Sequence, residues 1–302
     1  MAGTNTQFTE SIYEDIKKYE GVRMPLKAGF LETLLVKKAK CSNLHPNPED
    51  EFSIPSIGPS FRIIADYENK MRDNLNRGSD PFAGWDDPVY IEKMYPEGYM
   101  LLNGHHRWAA AMRVGMKRIP VKIVNVTTEN DVKQMLEKST HDKRATLDLD
   151  EIVFCAETGD DAESALGFPF GLVYKEKIRR GIPSLCHFLA KNGYDIWVYT
   201  SGYYSFDHIQ RLFKRYHVNL TGVITGTSRA SRLSSSSRRH MEKMIKNKYK
   251  TTLNIYKDMI LLIHSHAYEF EQADLDSQAP EWATEVKNKI QELEKNEEEQ
   301  IS

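Results

Sequence analysis

The spacing of apolar and polar residues divides the chain into short elements of two periods. From Leu101 to Val124 the run LLNGHHRWAAAMRVGMKRIPVKIV reads as strand, polar turn, helix and strand. Met100 to Leu102 are apolar, and Asn103-Gly104 is a turn dipeptide. Trp108 to Met112 is an alanine-rich helix former, Gly115 suits a helix C-cap, and Ile119 to Val124 has strand composition. Upstream, the pattern predicts a short helix over Ser11 to Tyr19 and a strand over Phe30 to Ala39. Phe61 to Leu75 reads as an amphipathic helix with Ile63, Ile64, Tyr67 and Met71 on one side. Leu44-His45-Pro46-Asn47-Pro48 breaks regular structure through its prolines. Val89 to Met94 and Tyr99 to Leu102 read as a hairpin around Pro96-Glu97-Gly98.

Thr127 to Lys143 predicts a polar connecting helix carrying Val132, Met135 and Leu136. After it come a short strand, Arg144 to Leu147, and a helix, Ser184 to Lys191, closed by Asn192-Gly193. Then follow a strand at Ile196 to Tyr199, a helix at Ser205 to Tyr216, Gly222 to Gly226, and an apolar strand at Met259 to Ile263. Continuous apolar strands alternating with amphipathic helices predict an α/β fold with a parallel sheet covered on both faces. Pro280 to Ser302 reads as an acidic helix whose Trp282, Val286, Ile290 and Leu293 form one stripe, expected to pack on the body. The expected organisation is a lead-in (1–30), a first domain (31–126), a helical connector (127–143), a second domain (144–279) and the acidic helix (280–302).

A chain of 302 residues with 40% hydrophobic and 28% charged content is long enough for two ordinary soluble domains. A formal net charge of -2 gives no global pull toward nucleic acid, so any basic surface must be local. Cys41, Cys155 and Cys186 are scattered with no CxxC, which argues against a disulfide framework or zinc knuckle and for a reducing compartment. No run reaches membrane-spanning length, and MAGTNTQFTES lacks the layout of a signal peptide, so the expected location is cytoplasmic with no membrane partner. The one strongly biased stretch is 229–250. It holds Arg229, Arg232, Arg238, Arg239, Lys243, Lys246, Lys248 and Lys250 against the single acid Glu242. It is a candidate grip for nucleic acid, although a solvated loop is the commoner outcome of such a bias.

Two places carry candidate chemistry. Asn103, Gly104, His105, His106 and Arg107 stand where a strand becomes a helix N-terminus, and free N–H groups and the helix dipole favour an anion there. Arg107 would add a bidentate phosphate contact and either histidine a hydrogen bond. The competing reading is a surface turn with a histidine pair. The second place is Asp148 and Asp150, i and i+2 at the end of a short strand. One carboxylate can attack phosphorus while the other serves as acid and then base. Asp148, Thr200 and His264 all fall at the carboxyl ends of predicted parallel strands, where ligands bind in such sheets.

LHPNPED, the helix start SIGPSFRII, GYMLLNGHHRWAAA and MKRIPVKIV together resemble the ParB/sulfiredoxin-like fold, over Val36 to Val126. The resemblance implies an α+β domain that binds CTP, ATP or ADP as ligand or substrate. Gly104 to Arg107 would cradle the phosphates, and the acidic loop Glu49, Asp50, Glu51 would lie near them. There are departures. His105 stands where the sulfinic-acid reductases of this fold have a cysteine, Asn103 stands where kinase-like members have Asp, and no helix-turn-helix follows Val126.

The second half resembles the haloacid-dehalogenase (HAD) superfamily over Arg144 to Asp274, through DLDEIVF and GIPSLCHFLAKNGYDIWVYTSG. That resemblance implies a Rossmann-like, three-layer sheet. Asp148 would be the nucleophile, Asp150 the acid/base and Thr200 a phosphate hydrogen-bonder, with Mg2+ shared between Asp148 and the Asp150 carbonyl. Lys246 or Lys250 would neutralise phosphate. In the fourth motif His264, Ser265 and His266 replace the usual aspartates, and imidazole suits a transition metal better than Mg2+. The joint expectation is a protein that binds a nucleotide or phosphorylated small molecule and acts in phosphoryl transfer or phosphate hydrolysis. The alternative is a non-catalytic nucleotide sensor or DNA-associated protein with the HAD-like half as scaffold.

Overall fold

The computed structural model describes residues 5–85, 87–154, 161–226, 235–264 and 269–301. The chain divides into two compact units at Val126/Thr127, each mixed α/β around its own sheet.

In the first unit, α1 (Asn5–Tyr19), β1 (Met24–Leu26), α2 (Phe30–Leu34), β2 (Val36–Lys40) and β3 (Leu44–His45) precede α3 (Phe61–Asn76). β4 (Val89–Tyr95), β5 (Tyr99–Asn103), α4 (His105–Val114) and β6 (Arg118–Ile123) complete it. The sheet runs β2-β6-β4-β5-β3, with β1 also paired to β4. β4 and β5 form the expected antiparallel hairpin. The alanine run of α4 explains its place: Ala109, Ala110 and Ala111 are fully buried, so the helix lies close on the sheet beside α3. Phe30 to Ala39 is not one strand. Its first half is helical because the Glu32 carboxylate accepts from the Gly29 amide at 2.9 Å, capping the turn, while only Val36 onward enters the sheet.

In the second unit, α5 (Glu129–Lys138) leads to β7 (Lys143–Asp148), α6 (Phe170–Val173), α7 (Ile182–Lys191), β8 (Tyr194–Tyr199), α8 (Phe206–Arg215) and β9 (Gly222–Ile224). Then come α9 (Ser235–Lys248), β10 (Thr251–Ile255), β11 (Met259–His264), β12 (Glu269–Asp274) and α10 (Trp282–Ile301). The sheet order is β12-β11-β10-β7-β8-β9. β10, β7, β8 and β9 are parallel, and β11 and β12 are antiparallel additions. The segment expected as a connector packs here, with Val132 and Met135 of α5 buried against Trp197, Ile224, Ile245 and Tyr249. α10 buries Trp282, Val286, Ile290 and Leu293 in the main core, the stripe predicted for it.

Met259 to Ile263 was expected to be a parallel strand, and it is antiparallel. The reason is the connection. Only Tyr256 to Asp258 separate β10 from β11, and Tyr256 N–H reaches the Met259 carbonyl at 2.9 Å. So short a link makes a hairpin, whereas a parallel return needs a dozen or more residues. The parallel neighbour of β7 is β10, whose TTLNI composition hides a strand with four of its positions buried.

Trp197 is the pivot on one face of this sheet. It is fully buried, and its indole N–H donates to the Tyr249 hydroxyl at 2.9 Å. Gly222 on the neighbouring strand leaves room for the ring, because an added methyl would collide with it. Gly222→Ala is therefore expected to cost about 2 kcal/mol or more of unfolding free energy from overpacking alone. Denaturant titration measures this, and an unchanged midpoint would show that the ring has another place to go.

Candidate functional sites

In the first unit β5 delivers Asn103 to the start of α4, and Gly104 makes the corner with a φ of 93°. Only a residue without Cβ suits both this backbone and its surroundings. An added carbon at Gly104 would stand 3.0 Å from Val89 and 3.1 Å from the Arg107 guanidinium. The N-cap is a glycine with no side chain to offer, and among the described residues no carboxylate or hydroxyl bonds the amides of the first turn.

The side chains of the turn face inward. His105 is 3% exposed, and its Nε2 accepts the Asn47 amide at 3.1 Å. His106 Nε2 accepts the Ser60 amide, also at 3.1 Å. Each Nε2 is thus an unprotonated acceptor, which puts the ring proton of a neutral imidazole on Nδ1. Asp50 lies 3.6 Å from His105 Nδ1, and Phe52 sits between the rings at centroid distances of 5.3 Å and 5.1 Å. The hydrogen bond to a phosphate expected of either histidine would have to come from elsewhere on the ring, since both Nε2 atoms accept backbone amides here. The histidines instead tie two loops, 46–53 and 58–60, to the helix.

Arg107, 9% exposed, donates to the Asp87 carbonyl and, at 2.9 Å, to Asn103 Oδ1. Its guanidinium also lies 5.7 Å from the Trp85 ring centroid. The bidentate phosphate fork expected of it is therefore engaged by protein oxygens, although its charge remains against the helix N-terminus. Glu49 is on the loop that His105 holds, with its carboxylate 4.0 Å from Arg23. Sequence reasoning missed Asn47, Ser60 and Asp87, because a backbone amide or carbonyl leaves no mark in composition, and Trp85, whose ring comes to Arg107 from a separate loop.

In the second unit Asp148 ends β7 and folds over a π turn at Leu149–Val153. Its Oδ1 accepts the amides of Asp150 at 2.7 Å and Glu151 at 2.9 Å. The Asp150 carboxylate reaches β8: Oδ1 accepts from the fully buried Thr200 hydroxyl at 2.7 Å. Its Oδ2 accepts from Ser201, through N at 2.8 Å and Oγ at 2.9 Å. Asp148, Asp150 and Thr200 thus meet at the carboxyl ends of two adjacent parallel strands. Ser201 joins them and was missed, standing one residue past a strand whose end drew attention to Thr200 alone.

The remaining candidates lie elsewhere. Thr251 pairs with Lys143 on one side and His264 on the other, so His264 sits level with the beginning of β7. That is about 16 Å from Asp148, at 3.3 Å per residue. His264 is thus no ligand at the Asp148 end, and Ser265 and His266 lie outside the described residues. Lys250 is at the same far end, 3.0 Å from Asp142. Lys246 is exposed in the last turn of α9, which leads to that end too. Neither is placed to neutralise a phosphate at Asp148. Among the described residues no group of three or more His, Cys, Asp or Glu is arranged to hold a metal. Backbone amides and hydroxyls engage Asp148 Oδ1 and both oxygens of the Asp150 carboxylate, which leaves Asp148 Oδ2 as the carboxylate oxygen that would face a Mg2+ ion. Of the basic stretch, 229–234 lies outside the described residues. Lys248 donates to the Ser139 carbonyl at 3.2 Å. No helix among the described residues is long and apolar enough to cross a membrane.

Comparison with known proteins bears on the first unit and on α5. Residues 63–140 match the ParB N-terminal domain. That match takes in the Asn103 to Arg107 turn. One solved structure found similar is the C-terminally truncated chromosome-partitioning protein ParB from Caulobacter crescentus complexed with CTP-gamma-S. It is 18% identical, covers 36% of this chain and 56% of its own, and superposes with a TM-score of 0.24, too loose a likeness to build on. No curated protein matches the chain.

Burial gives the first site a pH signature. His105 is pushed down to about 4, chiefly by loss of solvent, with Asp50 opposing and His106 adding to the shift. His106 is lowered as well, again chiefly by burial. The unfolded chain protonates His105 near 6.5 and the folded chain near 4, so between these values the unfolded state binds more protons. Stability therefore falls as the pH drops through that window, by roughly 3 kcal/mol for His105. Guanidinium midpoints measured from pH 7 to pH 4 should show this slope, and His105→Gln should remove most of it. Equal slopes in the two proteins would show that the imidazole is not buried neutral.

Proposed function

We propose that the first unit binds a nucleotide by its phosphates at the N-terminus of α4. The supporting observation is the uncapped first turn of that helix, entered through Gly104, with the Arg107 guanidinium lying against it. Backbone amides and the helix dipole supply the attraction, Arg107 supplies charge at short range, and the two histidines hold the surrounding loops in place. A nucleotide triphosphate or diphosphate suits such a site, and the family match over 63–140 favours this class of ligand. Phosphate adds the charge that the turn lacks, so binding requires no change in protonation of the histidines.

A second reading concerns the other unit. The meeting of Asp148, Asp150 and Thr200 at the carboxyl ends of β7 and β8 favours a HAD-like site for a phosphorylated small molecule. Asp148 would attack phosphorus, and Asp150 would pass a proton to the leaving oxygen and later take one from water. Thr200 and Ser201 fix the direction of the Asp150 carboxylate.

Calorimetry with CTP, ATP and ADP tests the first reading. The wild-type protein should bind at least one, and Arg107→Gln, which keeps a donor for Asp87 and Asn103 without the charge, should bind at least tenfold more weakly. No binding of any of the three, or equal binding by both proteins, removes the nucleotide reading. The second reading predicts that Asp148→Asn, whose amide oxygen still caps the π turn, loses phosphatase turnover in a broad substrate screen while its melting temperature holds. Turnover that survives the substitution places the chemistry elsewhere.

A further inference from the structure

β12 closes one side of the second unit's sheet, and its far edge is open. All six of its residues pair with β11 in one unbroken register, from Glu269 opposite His264 to Asp274 opposite Met259. Just past the strand the Leu275 amide donates to the Asp258 carbonyl at 2.8 Å, which fixes the alternation of the ladder. Glu271 and Ala273 bond to β11, so Phe270, Gln272 and Asp274 turn their N–H and C=O groups outward. Among the described residues no backbone bond meets those groups. Directly opposed residues share a face, so these three side chains lie beside the half-buried Met259, Leu261 and Ile263 of β11. Ile260 and Leu262 point the other way, into the core. Phe270 is 67% exposed.

Open edges are normally blunted by lysine, proline or a bulge, and EFEQAD has none of the three. What guards it is acid. Glu271 is half-buried on the inner face, and Asp274 is exposed on the outer one. Among the described residues neither carboxylate has a cationic partner, and Asp274 only accepts from the Gln272 amide group at 3.1 Å. A carboxylate on the inner face disfavours an apolar strand or a second copy of the same acidic strand, and favours one that brings a cation. We infer that β12 takes up an extended basic segment of a partner protein as an added strand. The outward amides and carbonyls pair with its main chain, a Lys or Arg stands opposite Glu271, and an apolar residue covers Phe270. Successive side chains of a strand point to opposite faces, so the segment that fits alternates basic and apolar residues. The inference uses neither candidate phosphate site and stands apart from both.

The test is fluorescence anisotropy with the full chain and a labelled peptide of about nine alternating Lys and Val residues. This peptide should bind, more weakly as salt rises, whereas a Glu–Val peptide of the same length should not. Amide hydrogen exchange at Phe270, Gln272 and Asp274 should slow when the Lys–Val peptide is added, which attraction between side chains alone would not achieve. Glu271→Lys should weaken binding about tenfold or more, because it sets like charges opposite each other. Gln272→Pro deletes one outward amide at an edge, where proline is tolerated, so it should lose binding while the melting temperature holds. The inference is overturned if the Lys–Val peptide does not bind, if the Glu–Val peptide binds equally well, or if either variant binds as the wild type does. A mass that grows with protein concentration in the wild type, and not in Gln272→Pro, makes a second copy the occupant and overturns it as well.

Discussion

Two backbone amides, those of Asn47 and Ser60, end on imidazole nitrogens at the start of α4, and the shape of the first unit's candidate site depends on that. A nitrogen that accepts an amide hydrogen carries no proton, so each ring must stay neutral for the loops to stay docked. Burial enforces this by making the charged ring costly. Protonation would therefore cost more than a hydrogen bond, because it would set an imidazolium against a backbone N–H inside the protein. The pair of histidines is best understood as two neutral hooks, with the only full positive charge of the turn left to Arg107.

That division of labour is what the sequence could not display. GHHR looks like a row of cationic donors, and as a string it marks the turn, the helix start and the need for glycine correctly. Which way the side chains face depends on Phe52 and the loops 46–53 and 58–60, which reach α4 from far along the chain. The same limit applies in the second unit. The apolar run at Met259 to Ile263 is legible as a strand, but its direction is set by a three-residue link that composition describes only as polar. The neighbouring TTLNI, three of whose five residues are threonine or asparagine, does not look like interior sheet at all. Its four other positions are buried, and the half-buried Asn254 accepts the Thr146 hydroxyl of β7 through Oδ1 at 2.8 Å, which satisfies the amide inside the sheet.

Strand direction, more than residue identity, then decides what the Asp148 end can be. A parallel β11 would have brought His264 beside the DxD and made the site a hybrid of carboxylate and imidazole. With β11 reversed, the histidine is carried to the other end of the sheet, and the Asp148 end keeps only oxygen chemistry: two carboxylates, two hydroxyls and the amides of a π turn. Such turns occur often at functional sites, because an extra residue in the coil re-aims the groups around it. Here the turn points two amides at one carboxylate oxygen of Asp148.

The two candidate sites use backbone amides in opposite ways. In the nucleotide reading proposed for the first unit, the attraction at α4 comes from a helix terminus with a single guanidinium beside it. Donors of that kind are fixed in direction and few in number, which selects one phosphate group held in one orientation. At β7 the two amides of the π turn are given to Asp148 Oδ1, so they hold a carboxylate of the chain in place and draw in no outside anion.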